Sequence, residues 1–359
     1  MLPIPEYIAG KDINDIKRLY GHKKVIKLAS NENPFGVPSY VKKTIKKNIK
    51  NVFRYPDKEY KELRRAIAGK IGLGPENIIP GNGTDEIIDL VYKYRIKPSS
   101  RVLLFDPSYS LYRIYNSIYS AETVSVKLDN YQYNVDKILD HLSEDISLVV
   151  ICNPNNPTGT YLNQADMVKL VENLNKDTML LMDEAYFHYA TASDFPASVQ
   201  IFKKYRDKKN IFITRTFSKI YALAGLRVGY GLGNKDVIDL LDRMRMPFDV
   251  NTMAQAAVLA SLKNDRFIDQ CKNANQLNRE FFYSELDRLD LQYIKSQSNF
   301  VLIDLGRKAE EIYEKLLSRG IIVRPFYEKT LDHFIRVTVG KRTELRKLIK
   351  ELENILRSS

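Results

Sequence analysis

The stretch TRTFSKIYALAGLRVGY, residues 214–230, decides how the rest of the chain is read. It sets one lysine, Lys219, among apolar and small residues, directly after Ser218. Arg227 follows inside a Gly-Leu-Arg-Val-Gly frame. A lysine amine attacks a carbonyl only when neutral, and its ordinary pKa is about 10.4. Burial among apolar groups lowers that value, because desolvation penalises the cation. A desolvated lysine can then bond covalently to a carbonyl carbon. Arg227 offers a planar fork suited to phosphate, between glycines that let backbone approach closely. The pair suits an aldehyde ligand that also carries a phosphate. Taken alone, a lysine beside hydroxyl residues is more often a solvated surface lysine, so the other contacts must come from elsewhere in the chain.

Working outward, a strand–helix alternation precedes this stretch. Mostly apolar runs at 101–105, 123–126, 147–152, 179–183, 210–215 and 228–232 read as strands. Helical patterns at 109–120, 135–142, 163–175 and 198–208 separate them. Such a pattern predicts an α/β fold with a mostly parallel sheet sandwiched by helices. Ligands of these sheets collect at the C-terminal strand ends. The run 101–105 leads into Asp106-Pro107-Ser108-Tyr109, and 147–152 into NPNNPTG at 153–159. The run 179–182 leads into Asp183-Glu184-Ala185-Tyr186, and 210–215 toward Lys219. An aromatic face, an amide, a carboxylate, a phenol and a lysine are thus expected along one edge. Upstream, NIIPGNGTDEIIDL at 77–90 reads as a strand, a glycine-rich turn and a helix with Thr84 as N-cap. Backbone N–H groups there could bind phosphate, although a plain strand–turn–helix is the commoner meaning of so short a motif.

Outside the core alternation, residues 1–24 read as an arm with a short helix near 13–20, and SNENPFG at 30–36 as a loop. Beyond residue 235 the pattern becomes a long helical region, 236–289, broken at Pro247. Strands at 299–303, 321–323 and 334–339 and helices at 309–318 and 341–357 then predict a smaller α+β domain. The expected division is an arm at 1–28, a small domain from 29–50 and 250–359, and a large domain at 51–249. Arg324 and Arg336 lie on or beside these last strands. Each reads as a surface charge, or, if buried, as a residue needing an acid or an anionic ligand opposite it.

Composition narrows the class. The chain has 359 residues, 44% hydrophobic and 28% charged, which are globular values. Its net charge of +12 is not gathered into a recognisable nucleic-acid module, so no nucleic-acid partner is expected. The two cysteines, Cys152 and Cys271, are far apart, which argues against a disulfide framework and suits a reducing, cytoplasmic setting. Four scattered histidines show no ligand spacing, so no metal site is expected. No apolar run long enough for a membrane span and no secretory leader pattern is present, so no membrane partner is expected.

These residues resemble the fold-type I pyridoxal-phosphate aminotransferases, most closely the histidinol-phosphate aminotransferase subgroup. The matching stretches are LASNENPFG at 28–36, RYPD at 54–57, GNGTDEII at 81–88, CNPNNPTGT at 152–160, DEAY at 183–186, RTFSKIYALAGLRVGY at 215–230 and FIRVTVG at 334–340. They run in family order over nearly the whole chain. The resemblance implies that Lys219 holds pyridoxal 5'-phosphate and shuttles a proton. It implies that Asp183 pairs with the pyridine nitrogen, that Asn156 and Tyr186 hydrogen-bond the ring oxygen, and that Tyr109 stacks on the ring. Gly83, Thr84 and Asp85 would form the phosphate turn, with Ser218, Arg227 and Thr216 completing it. Tyr55 would reach the phosphate in a neighbouring subunit, implying a homodimer. Arg336 would bind the substrate's carboxylate or phosphate, helped by Arg324, Tyr7 and Asn31.

The implied reaction passes an amine between L-histidinol phosphate and 2-oxoglutarate, giving imidazole acetol phosphate and glutamate. A threonine-phosphate decarboxylase or a broad aromatic aminotransferase shares most of these motifs. A cofactor-sensing transcription regulator of the same fold would need a DNA-binding module ahead of residue 28.

Overall fold

The computed structural model describes residues 4–8, 10–142 and 145–358. Residues 1–3 and 9 of the expected arm therefore lie outside the described residues. The chain opens with α1 (Ile13–Tyr20), β1 (Ile26–Lys27), α2 (Ser39–Asn48) and α3 (Lys61–Ile71). The alternation follows: β2 (Ile78–Gly81), α4 (Gly83–Arg95), β3 (Arg101–Asp106), α5 (Leu111–Ile118), β4 (Glu122–Lys127), α6 (Val135–Leu142), β5 (Ile146–Cys152), α7 (Gln164–Asn173), β6 (Met179–Asp183), α8 (Ser198–Tyr205), β7 (Asn210–Thr216) and β8 (Gly229–Leu232). Then come α9 (Lys235–Met244), α10 (Thr252–Ser261), α11 (Asp265–Arg288), β9 (Tyr293–Ile294), β10 (Phe300–Asp304), α12 (Ala309–Ser318), β11 (Ile321–Ile322), β12 (Arg324–Pro325), β13 (Phe334–Thr338) and α13 (Arg342–Arg357).

Seven strands form one sheet in the order β2-β8-β7-β6-β5-β3-β4. Pairs among β3 to β7 are parallel, and β8 runs antiparallel to both β7 and β2. The burial pattern explains the order. β6 is buried at every position, as a central strand covered on both faces must be. β4 alternates exposed and buried residues and lies at the edge. Successive side chains take opposite faces. On β5, β6 and β7, Val149, Ile151, Leu180, Met182, Ile211 and Ile213 join one core, with α3, α6, α7, α8 and α10. Leu148, Val150, Leu181 and Phe212 join a second core, with α4, α5 and α9.

A third core lies under the sheet β12-β13-β10-β9, packed by α11, α12 and α13. Ile16, Ile26 and Leu28 of the first segment are part of it, and β1 pairs in parallel with β11. Helix α2 packs instead on the large sheet's core through Val41, beside α10.

Local differences from the expected elements have physical causes. Helix α4 begins at Gly83 with Asn82 at its cap, so Thr84 is inside the first turn and is not the cap. The region 236–289 breaks twice, not once. After Pro247, Asn251 caps α10 by accepting from the Ala254 N–H at 2.8 Å. Asn264 then caps α11, accepting from the Arg266 N–H at 3.1 Å. Asparagine side chains satisfy N–H groups that the helix leaves unpaired.

Candidate active site

The parallel strands β3, β5, β6 and β7 all end on one edge, and the pairing register sets the last residues of β5 and β6 level with Thr214 of β7. Cys152 lies beside Asp183, and Asp183 beside Thr214. A cavity of about 300 Å³ opens there, between the large sheet and the face of β13 that carries Arg336. Tyr7, Asn31, Thr84, Asp85, Tyr109, Asn156, Asp183, Tyr186, Thr216, Ser218, Lys219, Arg227, Arg324 and Arg336 line it. Of the residues singled out from sequence, Gly83 supports the wall from behind. Tyr55 stands apart from this cavity.

Asp183 is buried at the end of β6. Tyr112 Oη donates to its Oδ2 at 2.7 Å, and Thr214 Oγ1 to its Oδ1 at 3.1 Å. Burial pushes its carboxyl up to about 6, and the two hydroxyl bonds oppose that rise. A carboxylate in this state responds strongly to any cation placed against it.

Lys219 follows β7, with its side chain partly open to the cavity. Its Nζ donates to the Ser30 carbonyl at 3.1 Å and lies 5.5 Å from the Tyr186 ring centre. Burial first, and Arg336 second, lower its pKa to about 8, against the pull of Glu32 and Asp85. Each unit changes the neutral fraction about tenfold, so the amine is far more nucleophilic than a surface lysine.

Arg336 shows why a cationic residue can sit on an apolar strand. Its neighbours Ile335 and Val337 fill the small core. Alternation therefore turns the guanidinium to the other face, into the cavity. Nη1 donates to Asn156 Oδ1, and Nη2 to the Ala29 carbonyl at 2.8 Å. Nε is buried without a partner, and burial lowers the group's pKa. Among the described residues no carboxylate pairs with it, and Asp332 faces His333 at 3.5 Å instead. Arg324 sits opposite Arg336 in the β12–β13 register and donates to the Ile8 carbonyl. A buried cation with neutral partners only is an incomplete arrangement that an anionic ligand completes.

A second anion seat lies at the start of α4. Arg227, in the left-handed region with φ 51°, reaches Asp85 Oδ2 at 3.2 Å and Ser218 Oγ at 3.4 Å. Gly83 has φ +83°, and a Cβ there would lie 2.7 Å from Arg227 Nη2. Only glycine admits both that backbone and that guanidinium. Thr216 Oγ1 accepts from the Ser218 N–H at 3.0 Å and shapes the facing loop.

The rings form the remaining walls. Asn31 Nδ2 donates to Tyr186 Oη at 3.1 Å, and burial raises the Tyr186 phenol well above its ordinary value. Tyr109 meets Tyr112 and Tyr7 edge-on, at 5.5 and 6.3 Å. Tyr55 is 83% exposed and stacks on Phe248 at 4.7 Å.

Sequence reading missed three contributors: Tyr112, Thr214 and the Ser30 carbonyl. Thr214 carried a usable signal, since a threonine at the end of an apolar strand falls level with Asp183 once the strands are in register. Tyr112 on α5 and the carbonyl of Ser30 carried none, because their partners come from remote chain. Among the described residues no cluster of three or more metal-binding side chains is found, and no helix is long and apolar enough to cross a membrane.

The family model "Aminotransferase class I and II" matches residues 23–352. The chain is 37% identical to the histidinol-phosphate aminotransferase of Caldicellulosiruptor saccharolyticus, over 98% of both chains. It superposes with a TM-score of 0.90 on the crystal structure of the histidinol-phosphate aminotransferase of Sinorhizobium meliloti in complex with pyridoxal-5'-phosphate, at 25% identity over 98% of this chain and 96% of that one. The corresponding enzyme of Clostridium acetobutylicum aligns with a TM-score of 0.86 at 27% identity, over 93% of this chain and all of that one.

Proposed function

The chain belongs to the class I and II aminotransferases, and on that premise we propose that it moves the amine of L-histidinol phosphate to 2-oxoglutarate, using pyridoxal 5'-phosphate. The observation that carries the substrate reading is Arg336. It is buried, lacks an acid and faces the same cavity as Lys219. A phosphate or a carboxylate on the substrate supplies the missing charge.

The residues present fit the cofactor. An amine lowered to about 8, a buried carboxylate and a glycine-built anion seat share one cavity. When bound, pyridoxal phosphate supplies an electron sink for charge developing at the substrate Cα. Lys219 Nζ would hold the cofactor's carbonyl carbon and carry a proton to and from that Cα. Asp183 would keep a proton on the pyridine nitrogen, with Tyr112 and Thr214 fixing its oxygens. Asn156 and Tyr186 would orient the ring oxygen, and Tyr109 would cover the ring face. Ser218, Arg227, Thr84, Asp85 and the Gly83 backbone would seat the phosphate, with Thr216 bracing Ser218. Arg336, Arg324, Tyr7 and Asn31 would bind the substrate's anionic end. One arginine site accepting either a phosphate or a carboxylate serves both halves of the exchange.

The reading also includes a homodimer. Ile49, Val52, Phe53 and Met246 are 54%, 64%, 75% and 71% exposed, and Tyr55 projects beside them. Such an apolar patch suits a second copy whose cavity Tyr55 enters. The division into an arm (1–28), a small domain (29–50 and 250–359) and a large domain (51–249) belongs to the same proposal, with α2 and α10 of the small domain's segments packed on the large sheet's core. So does a cytoplasmic setting, which two free, buried cysteines suit.

The test is an absorbance titration of the protein loaded with pyridoxal phosphate. L-histidinol phosphate should abolish the lysine-bound cofactor band and 2-oxoglutarate should restore it, with no band in Lys219→Ala. Release of CO₂ from threonine phosphate, without amine transfer, would contradict the proposal.

A further inference from the structure

A buried ion pair stands behind the strand ends that carry the site, and no step of the proposed reaction uses it. Arg215 Nε donates to Glu184 Oε2 at 2.8 Å, and the two side chains are 8% and 1% exposed. Arg215 Nη2 donates at 3.1 Å to Oγ of Ser198, the first residue of α8. The guanidinium also lies 3.8 Å from the centre of the Phe187 ring. Its place follows from alternation along β7. Ile211 and Ile213 face the core that holds α8, and Arg215 continues that face. Thr214 and Thr216 turn the other way, Thr214 to Asp183 and Thr216 to the cavity. Glu184 likewise continues the face of Leu180 and Met182, while Asp183 takes the opposite one.

Each charge of the pair therefore adjoins, along the chain, one partner of the Asp183–Thr214 contact. Glu184 follows Asp183, and its N–H donates to the Thr214 carbonyl at 2.9 Å. Arg215 follows Thr214. A buried ion pair is a poor source of net stability, because desolvation offsets the attraction and apolar residues of similar size often do as well. What this pair supplies is direction. A guanidinium is planar and aims its N–H groups along fixed lines. Here it meets Glu184 and Ser198 through two of them and packs over the Phe187 ring, so the segment 184–187 has one position relative to the end of β7.

We propose that Arg215, through Glu184, is a positioning residue that holds the Asp183 carboxylate level with Thr214 and aimed at the cofactor's ring nitrogen. Aim matters there, since hydrogen bonds weaken steeply with misalignment and a charged one has the most to lose. The inference rests on the reading of Asp183 as the partner of that nitrogen.

The experiment measures two affinities by calorimetry at about pH 8, where Asp183 is ionised. One probe is pyridoxamine 5'-phosphate, and the other is its 1-deaza analogue, which has a C–H in place of the ring nitrogen. Neither can attach to Lys219 through a carbonyl. The ratio of the two affinities reads the nitrogen contact and cancels the contacts that the probes share. The native chain should favour the nitrogen-bearing probe by about tenfold or more. Glu184→Gln alone strands a buried cation, so the pair is removed together as Glu184→Gln/Arg215→Met, which leaves the net charge behind Asp183 unchanged. This variant should unfold in urea near the native midpoint, yet its ratio should fall by about threefold or more. A pair that serves stability alone lowers both affinities by one factor and leaves the ratio at its native value, and that result overturns the proposal. Where the double variant does not fold, Arg215→Lys, which keeps the charge without the planar fork, carries the same expectation and the same refutation. A native chain that binds both probes equally, or neither, overturns instead the reading of Asp183 and the cofactor on which the proposal stands.

Discussion

Replacing Tyr112 by Phe removes one hydroxyl, buried and 2.7 Å from Asp183 Oδ2. The ring keeps its place between α5 and the sheet, so packing changes little. What is lost is a hydrogen bond to a charged acceptor, worth about 1.5–3 kcal/mol when the acceptor is ionised. One pKa unit corresponds to about 1.4 kcal/mol, so the Asp183 carboxyl should rise by about one to two units in the variant. The sign follows from linkage. Asp183 already titrates near 6 when folded, above its unfolded value of 3.8, so it draws stability down as pH rises between those values. In the variant that decline continues to higher pH. The ligand-free variant should therefore be destabilised more at about pH 8 than at about pH 5, where Asp183 is protonated in both proteins. Urea unfolding of both proteins at both pH values measures the difference. An equal loss at the two pH values would refute the assignment of the hydroxyl to an ionised Asp183.

Four further outcomes follow from the site. Arg336→Ala should lower kcat/KM for both glutamate and L-histidinol phosphate by about thirtyfold or more, since losing one partner of a buried charged contact costs about 2–5 kcal/mol; a loss under about fivefold for either substrate would contradict a shared role. Gly83→Ala should destabilise the protein by about 1–3 kcal/mol in urea unfolding, because φ is +83° and the new Cβ meets Arg227; an unchanged midpoint would contradict the close approach. Covalent capture of pyridoxal phosphate should rise with pH to a midpoint near 8, the value to which burial lowers Lys219, and stopped-flow absorbance reads it directly. In the ligand-free protein Lys219→Met should raise stability in urea unfolding near pH 7 by removing a buried cation, a gain that fades as pH rises from about 8, the folded value of the amine, toward its ordinary 10.5.

The large sheet was legible because its strands are apolar on both faces and its turns carry distinctive residues. β5, β6 and β7 could be placed within a residue or two from their apolar runs alone. β8 was found as a strand, but its antiparallel direction depends on partners across the sheet that a single run of residues does not specify. The break before α11 was missed because Asn264 is one polar residue in a polar helical stretch, and its capping role appears only with backbone geometry. At the site, Lys219, Asp183 and Arg227 stood out through their local settings. Arg336 left two readings open, and burial without an acid decided between them. Tyr112 was silent, since it acts through a contact with a segment far away in the chain.

On the proposed function, Lys219 alone holds the cofactor, against the Asp183 carboxylate. Borohydride reduction of the protein loaded with pyridoxal phosphate, followed by peptide mass spectrometry, tests it most directly. The expected result is a pyridoxyl-phosphate label on the peptide containing Lys219 and on no other, lost when L-histidinol phosphate is added before reduction. A label spread over surface lysines, or one on Lys219 that the substrate leaves in place, would contradict it.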